Sequence, residues 1–183
     1  QFTKDSWAEK LSTAPRSFWW CELGTNDSTS AKKFYSALFG WQAEDSPAGP
    51  DMVYTMLNIG GKSVGALYGM DKAQLDRGVP PHWNVYVSVA NADEATKKAE
   101  SLGAKAMAQP FDVMDFGRIS IIHDPTGAML CLWEAKKHTG AQLINEVGTF
   151  CWYELNTKDT EAAKTFYTSL FGWATGGDAT YTE

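Results

Sequence analysis

The sequence has 183 residues, of which 44% are hydrophobic and 21% are charged, as in globular proteins with a hydrophobic core. The formal net charge is −6 and no run of lysine or arginine exceeds two residues, which argues against nucleic acid or an anionic membrane as the main partner. No apolar stretch approaches the roughly 20 residues that cross a bilayer. Three cysteines without a CxxC spacing predict no disulfide framework, so we expect a cytoplasmic location.

The chain begins with a predicted polar arm at residues 1–14. FWWCELGT at 18–25 is rich in aromatic and β-prone residues and predicts a strand. Asp27 or Ser28 can cap the helix that follows, and Gly40 can end it. The next two runs, MVYTMLNI and KSVGALYG, predict the strands of a hairpin because a Gly-Gly pair joins them.

A second cycle of the same kind follows. HWNVYVSV at 82–89 predicts a strand, and NADEATKKAESLG at 91–103 predicts a helix. A short strand is expected in AKAMAQPFDVMDFG, and GRISIIHD and GAMLCLWE predict two strands around the turn DPTG. Residues 15–135 therefore hold two units, each with a strand, a helix and further strands.

The strongest signal is an internal repeat. WCELGTNDSTSAKKFYSALFGW at 20–41 matches WYELNTKDTEAAKTFYTSLFGW at 152–173 in 13 of 22 positions, at a constant offset of 132 residues. A duplicated segment of this length predicts a duplicated structural unit. We therefore expect a linker at 136–149 and, at 150–183, the strand and helix that start a second domain. Because a lone strand and helix cannot bury their apolar face, we favour truncation of a longer protein over domain swapping as the explanation.

These motifs resemble the vicinal oxygen chelate superfamily, which includes glyoxalase I, bleomycin-resistance proteins and extradiol dioxygenases. The resemblance rests on ELGTND…AKKFYSALFGW, the Gly-Gly hairpin, YVSVANADEATKKAESLGAK and GRISIIHDPTGAMLCLWE. WNVYVSV…DPTGAMLCLW…VGTFCWYELNT is similar to a two-domain glyoxalase-like or hydroxylase subgroup that includes a mycobacterial culture-filtrate antigen. The resemblance implies an α+β fold, in which paired βαβββ modules form a cupped, mostly antiparallel sheet with helices outside and the ligand in the cup.

Metal-using members of this superfamily hold their ion with His, Gln and Glu side chains on the inner strands. The resemblance maps these ligand positions onto Trp20, Asn84 and Cys131. An indole does not ligate a divalent cation, a carboxamide is a weak donor, and a single thiol without a histidine is a poor site for these metals. We therefore expect neither a metal nor another cofactor.

Strand alternation and the resemblance together give the side chains expected in the cup. On the first strand, Trp20 and Glu22 share the face opposite Cys21 and Leu23, which suit the helix side. The full set of predicted ligand-binding residues is Trp20, Glu22, His82, Asn84, Tyr86, Ser88, Arg118, Cys131 and Trp133. An aromatic cleft with a few polar groups is typical of a small-molecule pocket, although the same aromatic residues would also suit an ordinary core.

Glu22 is the candidate catalytic residue. A carboxyl group in an aromatic cup has a raised pKa unless it is paired, which suits a general base or a hydrogen-bonding anchor for a ligand. The alternative is a structural salt bridge, for example with Arg118, which would lower the pKa instead. The recurrence of the carboxylate as Glu154 in the repeat slightly favours the structural alternative.

Three functions remain open. The first is a bleomycin-resistance-like protein that binds a small, largely apolar or aromatic organic molecule without a metal. The second is a metal-independent glyoxalase-like lyase, isomerase or hydroxylase that uses Glu22 as its base. The third is a structural module whose cup is filled by its own aromatic side chains. The fold alone does not decide among them, and a homodimer is compatible with each.

Overall fold

The computed structural model describes residues 17–49 and 52–176. They form an α+β fold with one eight-stranded sheet. The strands are β1 (Phe18–Thr25), β2 (Gln42–Pro47), β3 (Val53–Ile59), β4 (Lys62–Gly69), β5 (His82–Ser88), β6 (Lys105–Val113), β7 (Gly117–His123) and β8 (Met129–Ala135). The helices are α1 (Ser28–Phe39), α2 (Lys72–Asp76), α3 (Ala92–Ser101) and α4 (Thr160–Phe171). The arm predicted at residues 1–14 lies outside the described residues.

The sheet is built from two equivalent halves. Its strand order is β2-β3-β4-β1-β5-β8-β7-β6. β1 pairs in parallel with β4, and β5 pairs in parallel with β8, whereas all other neighbours are antiparallel, including the central pair β1 and β5. Each half is therefore a βαβββ module, and the first strands of the two modules meet at the centre of the sheet. This architecture confirms the predicted fold class.

The structure adds two elements that the sequence pattern does not predict. Every residue of β2 is exposed, and the strand lies at the end of the strand order next to β3. Such an edge strand needs no apolar alternation, which is the signal that identifies buried strands. The five-residue helix α2 begins with a capping box between Asp71 and Gln74, a short polar feature without an apolar period.

Helices cover one face of the sheet, which we call the outer face. Below α1, a buried cluster contains Leu23, Trp41, Leu57, Val64 and Leu67. A second buried cluster contains residues of α3, α4 and strands β5, β7 and β8. Because both clusters are apolar, the outer face is held together by hydrophobic packing. The opposite face of the sheet is called the inner face.

The repeat forms two similar helices but not two similar strands. Asp27 and Asp159 cap α1 and α4 by accepting hydrogen bonds of 2.9 Å from backbone amides three residues on. Gly40 and Gly172 end these helices with φ angles of 72°. Residues 150–157, predicted as a strand, have no regular secondary structure, because a strand sequence without a neighbouring strand does not form a ladder. The second domain therefore stays a prediction.

The segment 136–149, predicted as a linker, contains no helix or strand but is attached to both modules, since the His138 amide donates to the Phe116 carbonyl of the second module at 3.0 Å. Gln142 Oε1 accepts a hydrogen bond of 2.9 Å from the Ser63 amide. The Trp41 indole donates to the Gly148 carbonyl at 2.7 Å. In the part of the chain that the structure describes, no helix has the length and apolar character needed to cross a membrane.

Candidate ligand site

The candidate site lies on the inner face, at the seam between the two modules. Trp20 is paired with Tyr86, and Glu22 with Asn84, across β1 and β5. Tyr86 is also paired with Cys131 across β5 and β8. Because side chains alternate along a strand, these five residues project from the same face. All five are buried.

The carboxyl group of Glu22 is the centre of a hydrogen-bond cluster. The Tyr86 hydroxyl donates to Oε1 at 2.5 Å, and the Tyr54 hydroxyl donates to Oε2 at 2.7 Å. Asn84 Nδ2 lies 3.4 Å from Oε1 and also donates to the Tyr68 hydroxyl at 3.1 Å. Glu22 is only 8% exposed, and these partners are neutral side chains rather than a paired cation.

Burial sets the protonation of this cluster. It raises the pKa of Glu22 because the charged carboxylate loses its hydration, and the hydrogen bonds from Tyr86, Tyr54 and Asn84 oppose the rise only in part. Burial and the charge of Glu22 also hold the pKa values of Tyr54 and Tyr86 well above their usual range. The phenols therefore stay protonated donors, and Glu22 keeps its proton to a higher pH than a surface glutamate does.

A glycine keeps space beside the cluster. A Cβ atom at Gly24 would lie 2.9 Å from the Tyr68 hydroxyl and 3.1 Å from His82 Cε1. His82 Nδ1 is 2.8 Å from the Pro80 carbonyl oxygen, and a positive charge on His82 lowers the pKa of Glu22 and so counters the effect of burial. His82, a predicted site residue, thus borders the carboxyl group.

Three tryptophans and a histidine form the aromatic wall of the inner face. Trp19 and Trp133 stack with ring centroids 5.2 Å apart, and His138 packs edge-on against Trp19 and Trp20 at 4.7 Å. A β-bulge between Phe18 and Trp20 brings two successive tryptophans into the same buried cluster. Burial lowers the pKa of His138 to about 4, so its imidazole is neutral near pH 7.

Trp133 has a buried hydrogen-bond donor without an acceptor among the described residues. Its indole Nε1 is buried and has no acceptor within hydrogen-bond distance among the described residues, and the residue is 5% exposed. A buried N–H group without an acceptor costs free energy, and a carbonyl or hydroxyl oxygen of a bound molecule would remove that cost. The ring packs directly over Gly117, where a Cβ atom would overlap it.

Substituting Gly117 with alanine is expected to lower the free energy of unfolding by about 2–3 kcal/mol. The new methyl group would overlap the Trp133 ring and lie 2.7 Å from the Glu134 carbonyl oxygen, so the ring or the strand must move. Chemical denaturation measures the effect, with Gly176→Ala, at a position open to solvent, as the matched control. Equal stability of both variants and the wild type would contradict the packing described for Trp133.

The structure brings eight of the nine predicted binding residues to the inner face or its edge. Besides the residues already described, Ser88 is buried and is paired with Trp133 across β5 and β8. These residues surround the Glu22 carboxyl group from both modules, as expected for two first strands that meet at the sheet centre. Their part in ligand binding remains a proposal.

Arg118 is the exception, and its predicted place in the cup is corrected by the structure. Its guanidinium donates to both carboxylate oxygens of Asp93, at 2.7 Å and 3.0 Å, and lies 3.5 Å from Asp112. Asp93 belongs to the first turn of α3 on the outer face. Because Arg118 precedes Ile119, which belongs to the inner cluster, alternation sends the arginine to the other side. It therefore forms no salt bridge with Glu22.

Four ring-bearing side chains of the inner face are absent from the predicted set: Tyr54, Tyr68, Trp19 and His138. Tyr54 and Tyr68 lie in the predicted hairpin, and strand alternation would identify them once the inward side of that hairpin is known. Trp19 faces inward because of the bulge in β1. His138 faces inward because the segment 136–149 folds over the inner face. Neither the bulge nor that path has a local sequence signal.

The inner face does not fit the metal site of the metal-using relatives. Among residues 17–49 and 52–176, no three His, Cys, Asp or Glu side chains are grouped so that they could hold an ion. Trp20 presents an N–H donor, and Asn84 uses its amide nitrogen as a donor. Burial raises the pKa of the Cys131 thiol, which disfavours the metal-binding thiolate. Both oxygens of Glu22 already accept hydrogen bonds.

A separate cavity of about 720 Å³ lies on the outer face. It opens to solvent and is bordered by β1, β5, β8 and the segment around α4, and its apolar lining includes Phe18, Trp83, Val85, Tyr153, Tyr167 and Trp173. It contains neither Glu22 nor the tyrosines that donate to it. One of its walls is the irregular segment 150–157.

Comparison with known proteins identifies the class. Residues 17–132 match the model of the Glyoxalase/Bleomycin resistance protein/Dioxygenase superfamily, and the chain belongs to this superfamily. It is 42% identical over 154 residues to "Putative glyoxylase CFP32" of Mycobacterium tuberculosis, covering 84% of this chain and 59% of that protein. It is 34% identical over 176 residues to "Anthracycline biosynthesis protein DauV" of Streptomyces sp. strain C5, covering 88% of this chain and 62% of that protein. The chain thus spans about three fifths of the length of these relatives.

Solved structures show the same fold at low identity. A Mn(II)-bound glyoxalase from Novosphingobium aromaticivorans is 15% identical with a TM-score of 0.55, covering 85% of this chain and 52% of that one. A methylmalonyl-CoA epimerase from Mycobacterium tuberculosis is 18% identical with a TM-score of 0.50, covering 68% of this chain and 92% of that one. These similarities support the fold alone.

Proposed function

We propose that the inner face binds a small, largely apolar or aromatic organic molecule without the metal ion that other members of the superfamily use. The observation that carries this proposal is the Glu22 carboxyl group, buried among aromatic side chains on the face opposite the helices. Small-molecule sites combine apolar walls with a few polar groups that fix orientation. Trp19, Trp20 and Trp133 supply the walls, and Glu22 with Tyr86 supplies the polar group.

The unmet N–H of Trp133 supports a ligand that carries an oxygen. This N–H group is buried and has no acceptor among the described residues, and buried donors in native proteins are almost always paired. A planar ring with a carbonyl or hydroxyl substituent could stack on the tryptophans and accept this hydrogen bond. Aromatic stacking of this kind contributes about 0.5–1.5 kcal/mol beyond area burial.

The name of one relative favours the same chemical class. DauV is named as an anthracycline biosynthesis protein, and anthracyclines contain planar, oxygen-substituted aromatic rings. An oxygen-bearing polycyclic aromatic molecule is therefore our first candidate for the ligand.

A cytoplasmic location stays a prediction, and it agrees with Cys21, Cys131 and Cys151 being free thiols.

The alternative is a metal-independent lyase, isomerase or hydroxylase-type enzyme. One observation favours it: burial raises the pKa of Glu22, which brings a carboxylate closer to the range useful for a general base. Against it, both carboxylate oxygens accept hydrogen bonds from Tyr54 and Tyr86, and hydrogen bonds to the charged form make a carboxylate a weaker base. A Glu22→Gln variant that keeps ligand binding but loses turnover of the bound molecule would identify the enzyme.

The test of binding uses a hydroxyanthraquinone as the probe and the thermal shift as the readout. We expect the probe to stabilise the wild type. Trp133→Phe keeps an aromatic ring but removes the N–H donor, and it should weaken probe binding about two- to twelvefold, since a hydrogen bond contributes about 0.5–1.5 kcal/mol.

The matched control is Trp83→Phe. Trp83 lies on β5 but belongs to the outer cluster and lines the outer cavity, so the same substitution there should leave probe binding unchanged. Loss of binding in Trp83→Phe with full binding in Trp133→Phe would assign the ligand to the outer cavity and contradict the proposal. Absence of any stabilisation by planar oxygen-bearing aromatic probes would contradict it as well.

A further inference from the structure

The two copies of the repeat have the same internal packing. The ring centroids of Phe34 and Tyr35 are 5.0 Å apart, and those of Phe166 and Tyr167 are 5.1 Å apart. The three other corresponding ring pairs agree as well. Their centroid distances are 6.3 Å for both Tyr35–Phe39 and Tyr167–Phe171, 4.9 and 4.7 Å for Phe39–Trp41 and Phe171–Trp173, and 5.7 and 5.9 Å for Tyr35–Trp41 and Tyr167–Trp173. With the same capping residues at both ends, α1 and α4 are locally equivalent units.

Their surroundings differ at three equivalent positions. On α4 the three large apolar side chains are almost fully buried, with 2%, 5% and 2% exposed for Phe166, Leu170 and Phe171. On α1 the counterparts are 59%, 57% and 43% exposed for Phe34, Leu38 and Phe39. Contiguous apolar surface of this kind marks an interaction site in soluble proteins. We call Phe34, Leu38 and Phe39 the α1 patch. Unlike the equivalent side chains of α4, these three are not covered by another element among the described residues.

The equivalent helix shows what covers such a patch. Phe166 and Leu170 belong to one buried cluster with Ala92 and Ala99 of α3. Lys98 of α3 donates through Nζ to the Leu170 carbonyl at 3.0 Å. This cation satisfies a free carbonyl at the C-terminal end of α4, where positive charge is favourable. The apolar side chains of α4 are therefore covered by a helix, α3, that contacts them through alanines. A lysine of α3 also bonds to the C-terminal end of α4.

We infer that the α1 patch is an interdomain interface, covered by a second α3-type helix in the second domain that residues 150–176 begin. In this chain the first helix of the second domain, α4, packs on the second helix of the first domain, α3. If two equivalent domains are related by a two-fold axis, each such contact has a reciprocal one. The reciprocal contact places the first helix of the first domain, α1, against the α3 counterpart of the second domain.

Two observations favour this occupant over a second copy of the chain. The matching surface of α3 is already covered by α4 of the same chain, so another copy has no free α3 to offer. The curated relatives are also longer than the matched stretch, which covers 59% of CFP32 and 62% of DauV. That remaining length could hold the strands and the helix that complete a second domain.

The test uses the natural polypeptide that contains this sequence, at its full length, with Phe34→Ser and Phe166→Ser as a matched pair. We expect both variants to lower the melting temperature by similar amounts, within about 2 °C of each other. In the unsubstituted protein, amide hydrogen exchange of residues 28–39 should be as slow as that of residues 160–171. A lysine-reactive cross-linker should join Lys33 to a lysine of the second domain within one chain.

The inference is overturned if Phe166→Ser lowers the melting temperature and Phe34→Ser leaves it unchanged, because the α1 patch is then exposed to solvent. It is also overturned if Lys33 is cross-linked to Lys33 of another chain in a species of dimeric mass. If Phe166→Ser does not fold, hydrogen exchange and cross-linking of the unsubstituted protein still decide the question. Fast exchange in α1 together with slow exchange in α4 contradicts a covered patch.

Discussion

Replacing Glu22 with alanine should lower the free energy of unfolding by about 3 kcal/mol or more, because each buried donor left without an acceptor costs about 1–3 kcal/mol. The hydroxyls of Tyr54 and Tyr86 both lose the carboxylate that accepts their hydrogen bonds. The side chain of Asn84 loses its longer contact at 3.4 Å. Urea denaturation of the variant and the wild type measures the difference.

Glu22→Gln is the control, and its effect depends on pH. Burial raises the pKa of Glu22 above its ordinary value of 4.5, so the folded chain binds this proton more tightly than the unfolded chain. The stability that Glu22 contributes is therefore fully present below that ordinary value and is lost as the pH rises through the folded pKa. Glutamine does not titrate, so we expect the variant to gain stability relative to the wild type as the pH rises above the ordinary glutamate pKa of 4.5 and through the raised pKa of Glu22. If the free energy of unfolding of the wild type instead rises relative to that of the variant as the pH rises, the carboxylate is paired and its pKa is lowered.

Replacing Trp20 with alanine should cost about 3–5 kcal/mol of unfolding free energy. The side chain is 2% exposed, its indole donates to the Tyr54 hydroxyl at 3.1 Å, and its ring packs against Trp19 and His138. The substitution leaves a large cavity at the seam between the modules. It should also abolish binding of the aromatic probe, which thermal shift measures on the same samples.

The repeat provides a matched control for this substitution. Trp152 holds the slot equivalent to Trp20, yet it is 75% exposed. In the 183-residue chain, Trp152→Ala should change stability by less than about 0.5 kcal/mol. Equal losses for Trp20→Ala and Trp152→Ala would contradict the difference in burial that the structure gives these two residues.

Local signals in the sequence were sufficient for the central elements of the fold. The sequence predicts β1 at 18–25, and the structure has it at Phe18–Thr25, because its aromatic and β-prone residues are bounded by clear turn residues. The sequence predicts a cap for α1 at Asp27 or Ser28 and an end at Gly40, and the structure has Asp27 as the N-cap and Gly40 as the C-cap. Alternation predicts Glu22 on the face away from the helices once Cys21 and Leu23 are taken as the helix side, and the same reasoning in the second module predicts its neighbours Asn84 and Tyr86.

The rest of the site depends on long-range geometry. Trp19 joins Trp20 on the inner face only because of a bulge in β1, and alternation counted through a bulge assigns the wrong side. His138 reaches the tryptophans because the segment after β8 folds back over them. Arg118 is expected in the cup because it lies on an adjacent strand whose facing the sequence does not fix, whereas its position next to Ile119 turns it towards Asp93. Residues 150–157 have the sequence of a strand, but a strand also needs a partner.

The most direct measurement is the electron density of crystals grown with the hydroxyanthraquinone probe. The account predicts density for the probe on the inner face between Trp20 and Trp133, with an oxygen within hydrogen-bond distance of Trp133 Nε1. It also predicts that no cation is coordinated by Glu22, Asn84 or Cys131. A coordinated cation at these residues, or a probe bound only in the outer cavity, would contradict the proposal of a metal-free aromatic site.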